Sequence, residues 1–220
     1  MVDLVIQELN KDSVMKEQMK ELRKPISQNT IDHLTDALVD VMRYSDPNFI
    51  YPDLDKAESD DGVIAEWFYP IYNGTNDFSE LTAVLMYTGQ EVKFEEIGEL
   101  MLGIGLTEMK HLSKLADFIR ILGGNIEQKY NNSGVSLGNT VREALTIAIE
   151  AEIRTVEFYN SISSKIKRVK PTKTTEIALQ LISKLIADEE VHKKLLSEAL
   201  EEYSKRQEKL TEKLDDLGNE

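Results

Sequence analysis

Apolar residues recur at three- and four-residue steps through most of the second half of the chain, which is the spacing of amphipathic helices. This pattern predicts four helices, over about residues 77–91, 95–122 and 140–168 and from Pro171 onward. Gly123 and Gly124 are expected to end the second helix, and Pro171 suits the first turn of the fourth. We therefore predict an all-α domain over residues 76–203, followed by a charged helical tail over 204–220.

Residues 1–75 do not follow this pattern, and we predict an N-terminal extension that is first helical and then irregular. Helical spacing fits residues 2–22 and 31–42. From Ser45 to Asn76, prolines and glycines alternate with aromatic residues that include Trp67, the only tryptophan. Such a stretch predicts a long irregular segment that packs against something larger. We expect it to form a subunit contact or a cover over the helices rather than a substrate site.

Composition excludes several classes of function. The 220 residues include 40 acidic and 26 basic ones, for a net charge of −14, which disfavours binding to nucleic acid or to an anionic membrane surface. The chain has no cysteine, so disulfides, iron–sulfur clusters and thiolate metal sites are excluded. No basic segment followed by an apolar one opens the sequence, and no uncharged run is long enough to span a membrane. We therefore expect a cytoplasmic protein.

The predicted fourth helix carries charged residues on its apolar face. Leu181 and Leu185 are followed on the same face by Glu189 and His192, three residues apart. A buried carboxylate needs a positive partner, and a metal ion shared with an imidazole is one of the few that suffice. This helix therefore indicates a metal site inside the domain.

The same arrangement of glutamate, tyrosine and histidine occurs twice along the predicted helices. In the first copy, Tyr87 follows Glu80 by seven residues. Later, His111 follows Glu108 by three residues. The second copy has the same order and spacing, and its members are Glu152, Tyr159, Glu189 and His192. A glutamate three residues before two of the three histidines has a chance probability of about 0.04, and the matching tyrosines lower it further.

The positions of the predicted turns fit a meeting of these residues. Two ligands on antiparallel neighbouring helices lie at the same height only if the turn falls near their sequence midpoint. Between Glu152 and Glu189 the midpoint is next to Pro171, which suits a helix start. The loop of about 16 residues before the third helix can stretch to about 53 Å, and the second helix is about 42 Å long. Two antiparallel hairpins joined by one long crossover are therefore feasible.

With these motifs, the stretch from Phe78 to Leu200 resembles the ferritin-like superfamily of di-iron and di-manganese carboxylate proteins. In that family, a Glu from each of two helices and a Glu-x-x-His from each of the other two converge inside a four-helix bundle. The resemblance is nearest to rubrerythrin and manganese catalase, although the chain lacks the cysteines of a rubredoxin centre. It implies a ferritin-like four-helix bundle whose metal ligands are Glu80, Glu108, His111, Glu152, Glu189 and His192.

The resemblance also implies an inequality between the two halves of the site. Asp188 matches the acid that, in many members, holds the opposite imidazole, here that of His111. Thr107 stands at the equivalent place in the first half, so the two metal environments would differ. Tyr87 and Tyr159 are the candidate catalytic residues, and the alternative is that they only donate hydrogen bonds to the ligating carboxylates.

The expected function follows from this ligand set. Four carboxylates balance two divalent ions, and oxygen-rich ligation with one imidazole per ion suits two iron or two manganese ions. We expect a catalase- or peroxidase-like oxidoreductase in which the ions hold peroxide or dioxygen between them, while Glu80 and Glu152 shift coordination or relay protons. The alternatives are a ferroxidase or iron-storage protein and a non-catalytic metal-binding structural or interaction protein. The expected partners are a small-molecule oxidant and further copies of the chain, with no nucleic acid and no membrane.

Overall fold

Four long helices arranged as two hairpins dominate the structure, a computed structural model that describes residues 42–58, 62–73, 78–126 and 135–218. These residues contain five α-helices and no strand. The helices are α1 (Gly62–Tyr72), α2 (Glu80–Lys93), α3 (Gly98–Ile121), α4 (Val141–Ile166) and α5 (Lys173–Gly218). Short 3₁₀ turns lie at Met42–Tyr44, Leu54–Lys56 and Glu95–Ile97. The helix expected over residues 2–22 and most of that over 31–42 lie outside the described residues.

Helices α2 and α3 pack against each other to form one hairpin, and α4 and α5 form the other. The chain between α3 and α4 is the connection between the hairpins, as the sequence predicts. The predicted all-α bundle of two helical hairpins is therefore confirmed. Among the described residues, no helix combines the length and the hydrophobicity that crossing a membrane requires.

The helix ends lie close to their predicted positions because local capping specifies them. Ser79 caps α2 by accepting a hydrogen bond from the backbone N–H of Thr82 at 3.3 Å. Thr140 caps α4 in the same way. At the end of α3, Gly123 has a φ of 76°, and the next N–H bonds back to the carbonyl of Ile119 at 2.9 Å. This Schellman geometry needs a left-handed residue, which glycine adopts without steric cost.

Helix α1 corrects the expectation that the chain is irregular from Ser45 to Asn76. Its buried residues Ile64, Phe68 and Ile71 follow helical spacing, and Pro70 lies within its last turn. Phe68 packs edge-on against Phe118 of α3, with ring centroids 4.9 Å apart. Burial of this face against the bundle outweighs the helix-breaking tendency of the proline, which the sequence pattern overrated.

Two apolar clusters fill the bundle, one towards each end. The first contains Phe68, Phe118, Ile119, Ile162, Leu181 and Leu185, among others. The second contains Met86, Met101, Ile104, Leu145, Ala148 and Leu196, among others. Along each of α3, α4 and α5, a stretch of buried polar residues separates the part in one cluster from the part in the other. The polar layer of the protein is therefore enclosed above and below by hydrophobic core.

The segment before α1 runs along the bundle from one cluster to the other. Tyr44 is buried in the second cluster and Leu54 in the first. This segment therefore passes the level of the polar layer, where its backbone contacts His192 and Asp188.

Candidate metal centre

All six predicted ligands meet in the polar layer. Helix α2 contributes its first residue, Glu80, and α4 contributes Glu152. Each of α3 and α5 contributes a glutamate and a histidine from one face, because residues three apart on a helix project together. The six residues are each at most 3% exposed. Four carboxylates in a water-excluded interior would repel one another strongly without a compensating positive charge.

The six side chains form two overlapping groups whose ligand atoms lie within 4.8 Å of one another. The members of the first group are Glu80, Glu108, His111 and Glu189, and those of the second are Glu152, Glu108, His192 and Glu189. Glu108 and Glu189 belong to both groups. Each group is thus completed by one glutamate and one histidine of its own, and each group could hold one metal ion.

Distances around the histidines show how the shared carboxylates are oriented. Oε2 of Glu108 lies 3.1 Å from Nδ1 of His111, and its Oε1 lies 2.9 Å from Nδ1 of His192. Glu189 also contacts both rings, with its Oε1 3.6 Å from Nδ1 of His111 and its Oε2 3.0 Å from Nδ1 of His192. Each shared carboxylate therefore turns one oxygen towards each group.

The histidine rings are held from behind by their other nitrogen. Nε2 of His192 lies 2.8 Å from the backbone carbonyl of Tyr44, and Nε2 of His111 lies 3.0 Å from Oδ2 of Asp188. A carbonyl only accepts, so Nε2 of His192 carries the hydrogen, and in the neutral ring Nδ1 presents a lone pair to the carboxylates. A neutral ring would therefore turn a lone pair towards the carboxylate oxygens, so these contacts require either a proton on Nδ1 or a cation between the atoms.

Family models identify this domain independently of its geometry. The model of the ferritin-like domain matches residues 80–206, which is more than half of the chain. The chain belongs to the ferritin-like family. The ferritin-like bundle is also similar in structure to bacterioferritin BfrA of Mycobacterium tuberculosis, with a TM-score of 0.56 and 23% sequence identity over 70% of this chain and 92% of that one. A search of curated proteins gave no match.

The structural similarity establishes the fold, and the family match covers the ferritin-like domain as a whole. The nearer resemblance to rubrerythrin and manganese catalase stays a prediction. The assignment of the six side chains as metal ligands also stays a prediction, and their convergence supports it.

The two predicted tyrosines contact the site across the ferritin-like bundle. The hydroxyl of Tyr87 on α2 donates a hydrogen bond to Oε1 of Glu152 on α4. The hydroxyl of Tyr159 on α4 donates to Oε1 of Glu80 on α2. Both rings are fully buried. Each tyrosine thus orients a glutamate of the opposite hairpin, and each of these glutamates belongs to only one ligand group.

A buried polar cluster supports His111, and sequence reasoning identified only one of its members, Asp188. Lys184 Nζ lies 2.7 Å from Oδ1 of Asp188, and the hydroxyl of Ser45 and the N–H of Asp46 donate to the same oxygen at 2.9 and 2.6 Å. Lys184 and Asp188 are four residues apart on one helix, a spacing that could have revealed the pair. The contribution of Ser45 and Asp46 has no periodic signal and depends on tertiary packing.

Protonation in the ferritin-like site reflects the crowding of its carboxylates. Burial and the charge of Glu108 raise the pKa of Glu80 well above its ordinary value, and burial together with Glu189 does the same for the pKa of Glu152. Burial alone would lower the pKa of His192, but Glu108 and Glu189 outweigh it and raise that pKa from 6.5 to about 10. Without metal, the site therefore retains protons in place of cations.

One buried atom fits a bound cation directly. Oε1 of Glu189 is buried and has no hydrogen-bond partner among the described residues. Glu189 belongs to both ligand groups, and this oxygen lies 3.6 Å from the Nδ1 atom of His111. A buried carboxylate oxygen without a partner is costly, and a metal ion between these atoms would satisfy it. The donor set, which is rich in carboxylate oxygen with one imidazole per group, suits iron or manganese.

Proposed function

We propose that this protein binds two iron ions in the site and oxidises ferrous iron with dioxygen or peroxide, as a ferroxidase. The observation that carries the proposal is the sharing of Glu108 and Glu189 by two groups, each completed by its own glutamate and histidine. Glu108 and Glu189 would hold two cations between them, and two ferrous ions bound there would supply two electrons to one oxidant.

Iron is favoured over softer metals by the donor set and over manganese by the similarity to a bacterioferritin. The same similarity supports the ferroxidase alternative over the catalase- or peroxidase-like oxidoreductase that the sequence predicts. Two ferrous ions would give two electrons to one dioxygen, which takes up two protons to form hydrogen peroxide, or to one hydrogen peroxide, which takes up two protons to form two waters. In both cases each ion leaves as ferric iron.

The chain's own residues would prepare the site for this chemistry. Asp188 and the Tyr44 carbonyl accept from Nε2 of the histidines and keep each Nδ1 directed at the metal positions. The tyrosine hydroxyls fix one oxygen of Glu80 and of Glu152, leaving the other oxygen for an ion. The raised pKa values of these two glutamates allow them to hold a proton when no ion is bound. The apolar clusters on both sides exclude water.

Assembly of several copies is a second part of the proposal, and it is supported by the similarity to a bacterioferritin. Storage of oxidised iron requires a closed shell, whereas turnover of a small oxidant does not. Size-exclusion chromatography with light scattering separates the two cases. A shell-sized particle would support storage, and a small oligomer would restrict the function to oxidation of iron without storage.

Oxygen measurements test the chemistry. Metal-free protein is loaded anaerobically with two ferrous ions per chain, and oxygen uptake is recorded on exposure to air. We expect oxygen consumption with formation of ferric iron, and little oxygen evolution when peroxide is added to the same protein. Rapid oxygen evolution from peroxide by the iron or the manganese form would contradict a ferroxidase and favour catalase chemistry. Metal uptake without either reaction would favour a structural role.

A further inference from the structure

The two halves of the site differ at two matching positions behind the ligands. On α5, Lys184 and Asp188 lie five and one residues before Glu189. On α3, Gly103 and Thr107 occupy the same places before Glu108. The α5 pair forms a buried ion pair that holds His111. The α3 pair has no charge, so the histidine of the other half needs another partner.

Thr107 does not supply that partner. Its hydroxyl donates a hydrogen bond back to the carbonyl of Gly103, 3.3 Å away in its own helix. The Nε2 atom of His192 instead donates to the backbone carbonyl of Tyr44 at 2.8 Å. Tyr44 lies outside the four helices, in the segment that runs along the bundle.

Gly103 is what admits Tyr44 to this position. A Cβ atom added at Gly103 would lie 2.2 Å from two ring atoms of Tyr44, a distance that no real side chain tolerates. Tyr44 is 7% exposed and packs in the second apolar cluster. The absence of a side chain at one position of α3 therefore places the carbonyl of Tyr44 against the histidine.

The next two residues contact the other half of the site. Ser45 Oγ and the N–H of Asp46 donate to Oδ1 of Asp188 at 2.9 and 2.6 Å. Nζ of Lys184 donates to Ser45 Oγ at 2.7 Å and to the carbonyl of Asp46 at 2.9 Å. Asp188 in turn accepts from Nε2 of His111 through its other oxygen, Oδ2.

We propose that Tyr44, Ser45 and Asp46, called the anchor segment below, are positioning residues that fix both histidines of the metal centre from outside the bundle. The Tyr44 carbonyl accepts from His192 in place of the acid that is missing at Thr107. Ser45 and Asp46 hold Asp188, the acid that accepts from His111. Its role rests on the proposed metal centre. Because one short segment supports His192 directly and His111 through Asp188, loosening it at either end should weaken metal binding in both groups.

Hydrogen exchange of the metal-free full-length protein tests the anchor without reference to metal. We expect slow exchange of the Asp46 amide, because this N–H is bonded to a buried carboxylate. Gly103→Ala should speed that exchange by displacing the Tyr44 ring, whereas Gly98→Ala should not, since its added Cβ would meet only a backbone oxygen at 3.4 Å. An Asp46 amide that exchanges as fast in the wild type as in Gly103→Ala would overturn the proposal.

Cobalt binding then tests the positioning role, because Co²⁺ reports its coordination by visible absorption. Outer partners of metal-ligating histidines typically change metal affinity by about 10- to 100-fold. We expect losses in this range for Gly103→Ala and for Lys184→Met, with an altered cobalt spectrum, substantial recovery in Lys184→Arg and wild-type behaviour in Gly98→Ala. Ser45→Ala, which removes one hydroxyl only, serves if the larger changes prevent folding, and we expect it to lose affinity in the same direction.

The outcomes separate this inference from the proposed function. If the wild type binds two Co²⁺ per chain and the anchor variants bind equally tightly with unchanged spectra, the anchor is overturned and the metal centre stands. If the wild type binds no metal, the proposed function fails, and the positioning of a metal site fails with it even where hydrogen exchange shows the anchor contacts. Matched losses of affinity in Lys184→Met and Lys184→Arg would point to packing alone and would also overturn the positioning role.

Discussion

Tyr87 on α2 donates a hydrogen bond to Glu152, which lies 65 residues later on α4. Tyr159 on α4 donates the reciprocal hydrogen bond to Glu80 on α2, so each hairpin donates one tyrosine hydroxyl to a glutamate of the other. Both hydroxyls have raised pKa values, first through burial and then through the adjacent carboxylates, and therefore stay protonated donors. The symmetric exchange fixes the two glutamates that are not shared between the ligand groups.

Removal of one hydroxyl should loosen one metal position and leave the other. In Tyr87→Phe, an oxygen of Glu152 loses its donor in a buried site, which typically costs about 1 to 3 kcal/mol. We expect a lower thermal midpoint of the metal-free protein, two bound ions at saturating metal, and slower iron oxidation measured by stopped flow. Tyr203→Phe, a half-buried position of α5 that packs against the second apolar cluster, is the control. An unchanged midpoint and rate in Tyr87→Phe would show that the bond has no role.

Removal of a shared carboxylate should affect both ions, whereas removal of a histidine should affect mainly one. We expect Glu108→Ala to lower the metal content measured by elemental analysis more than His192→Ala does, because Glu108 belongs to both groups. Helix content by circular dichroism should stay mostly intact in both. Glu190→Ala, which removes an exposed neighbour of Glu189 paired with Lys193, is the control. Unchanged metal content in both site variants would count against the ligand assignment.

The sequence predicted the bundle and the inner residues of the site because both depend on local spacing. Steps of three and seven residues on a helix place side chains on one face without any knowledge of tertiary contacts. Tyr87 shows the limit of that reasoning, since it shares a helix with Glu80 but bonds Glu152. Tyr44 and Lys184 show it again, because their contacts arise from packing between a non-periodic segment and the bundle.

Metal removal should destabilise the folded protein. A ligand present at 100 times its Kd adds about 2.7 kcal/mol per site to the free energy of unfolding. For a chain of this size, two filled sites then raise Tm by roughly 10 to 20 °C. We expect differential scanning calorimetry to show this drop after chelation and its reversal on adding ferrous iron without oxygen. Equal melting temperatures before and after chelation would contradict tight binding in the core.

The metal-free protein should lose stability as the pH rises above neutrality. His192 has a pKa raised from 6.5 to about 10 in the folded state, so its stabilising contribution is complete below pH 6.5 and disappears as the pH passes 10. The raised pKa values of Glu80 and Glu152 act in the same direction. Urea unfolding with a chelator should therefore show a lower midpoint at about pH 9.5 than at about pH 6.

The metal-loaded protein is the control for this pH dependence, because bound ions would replace the protons on the Nδ1 atoms. Its midpoint should vary less between the same two pH values. A metal-free midpoint that rises with pH, or that varies no more than the loaded one, would contradict the assigned protonation of the site.

Anomalous diffraction at the iron edge tests the central claim most directly, on crystals of protein loaded anaerobically with ferrous iron. We expect two anomalous peaks per chain, one bounded by Glu80 and His111 and the other by Glu152 and His192, with Glu108 and Glu189 contacting both. A single peak, or peaks only at surface carboxylates with none in the core, would contradict it.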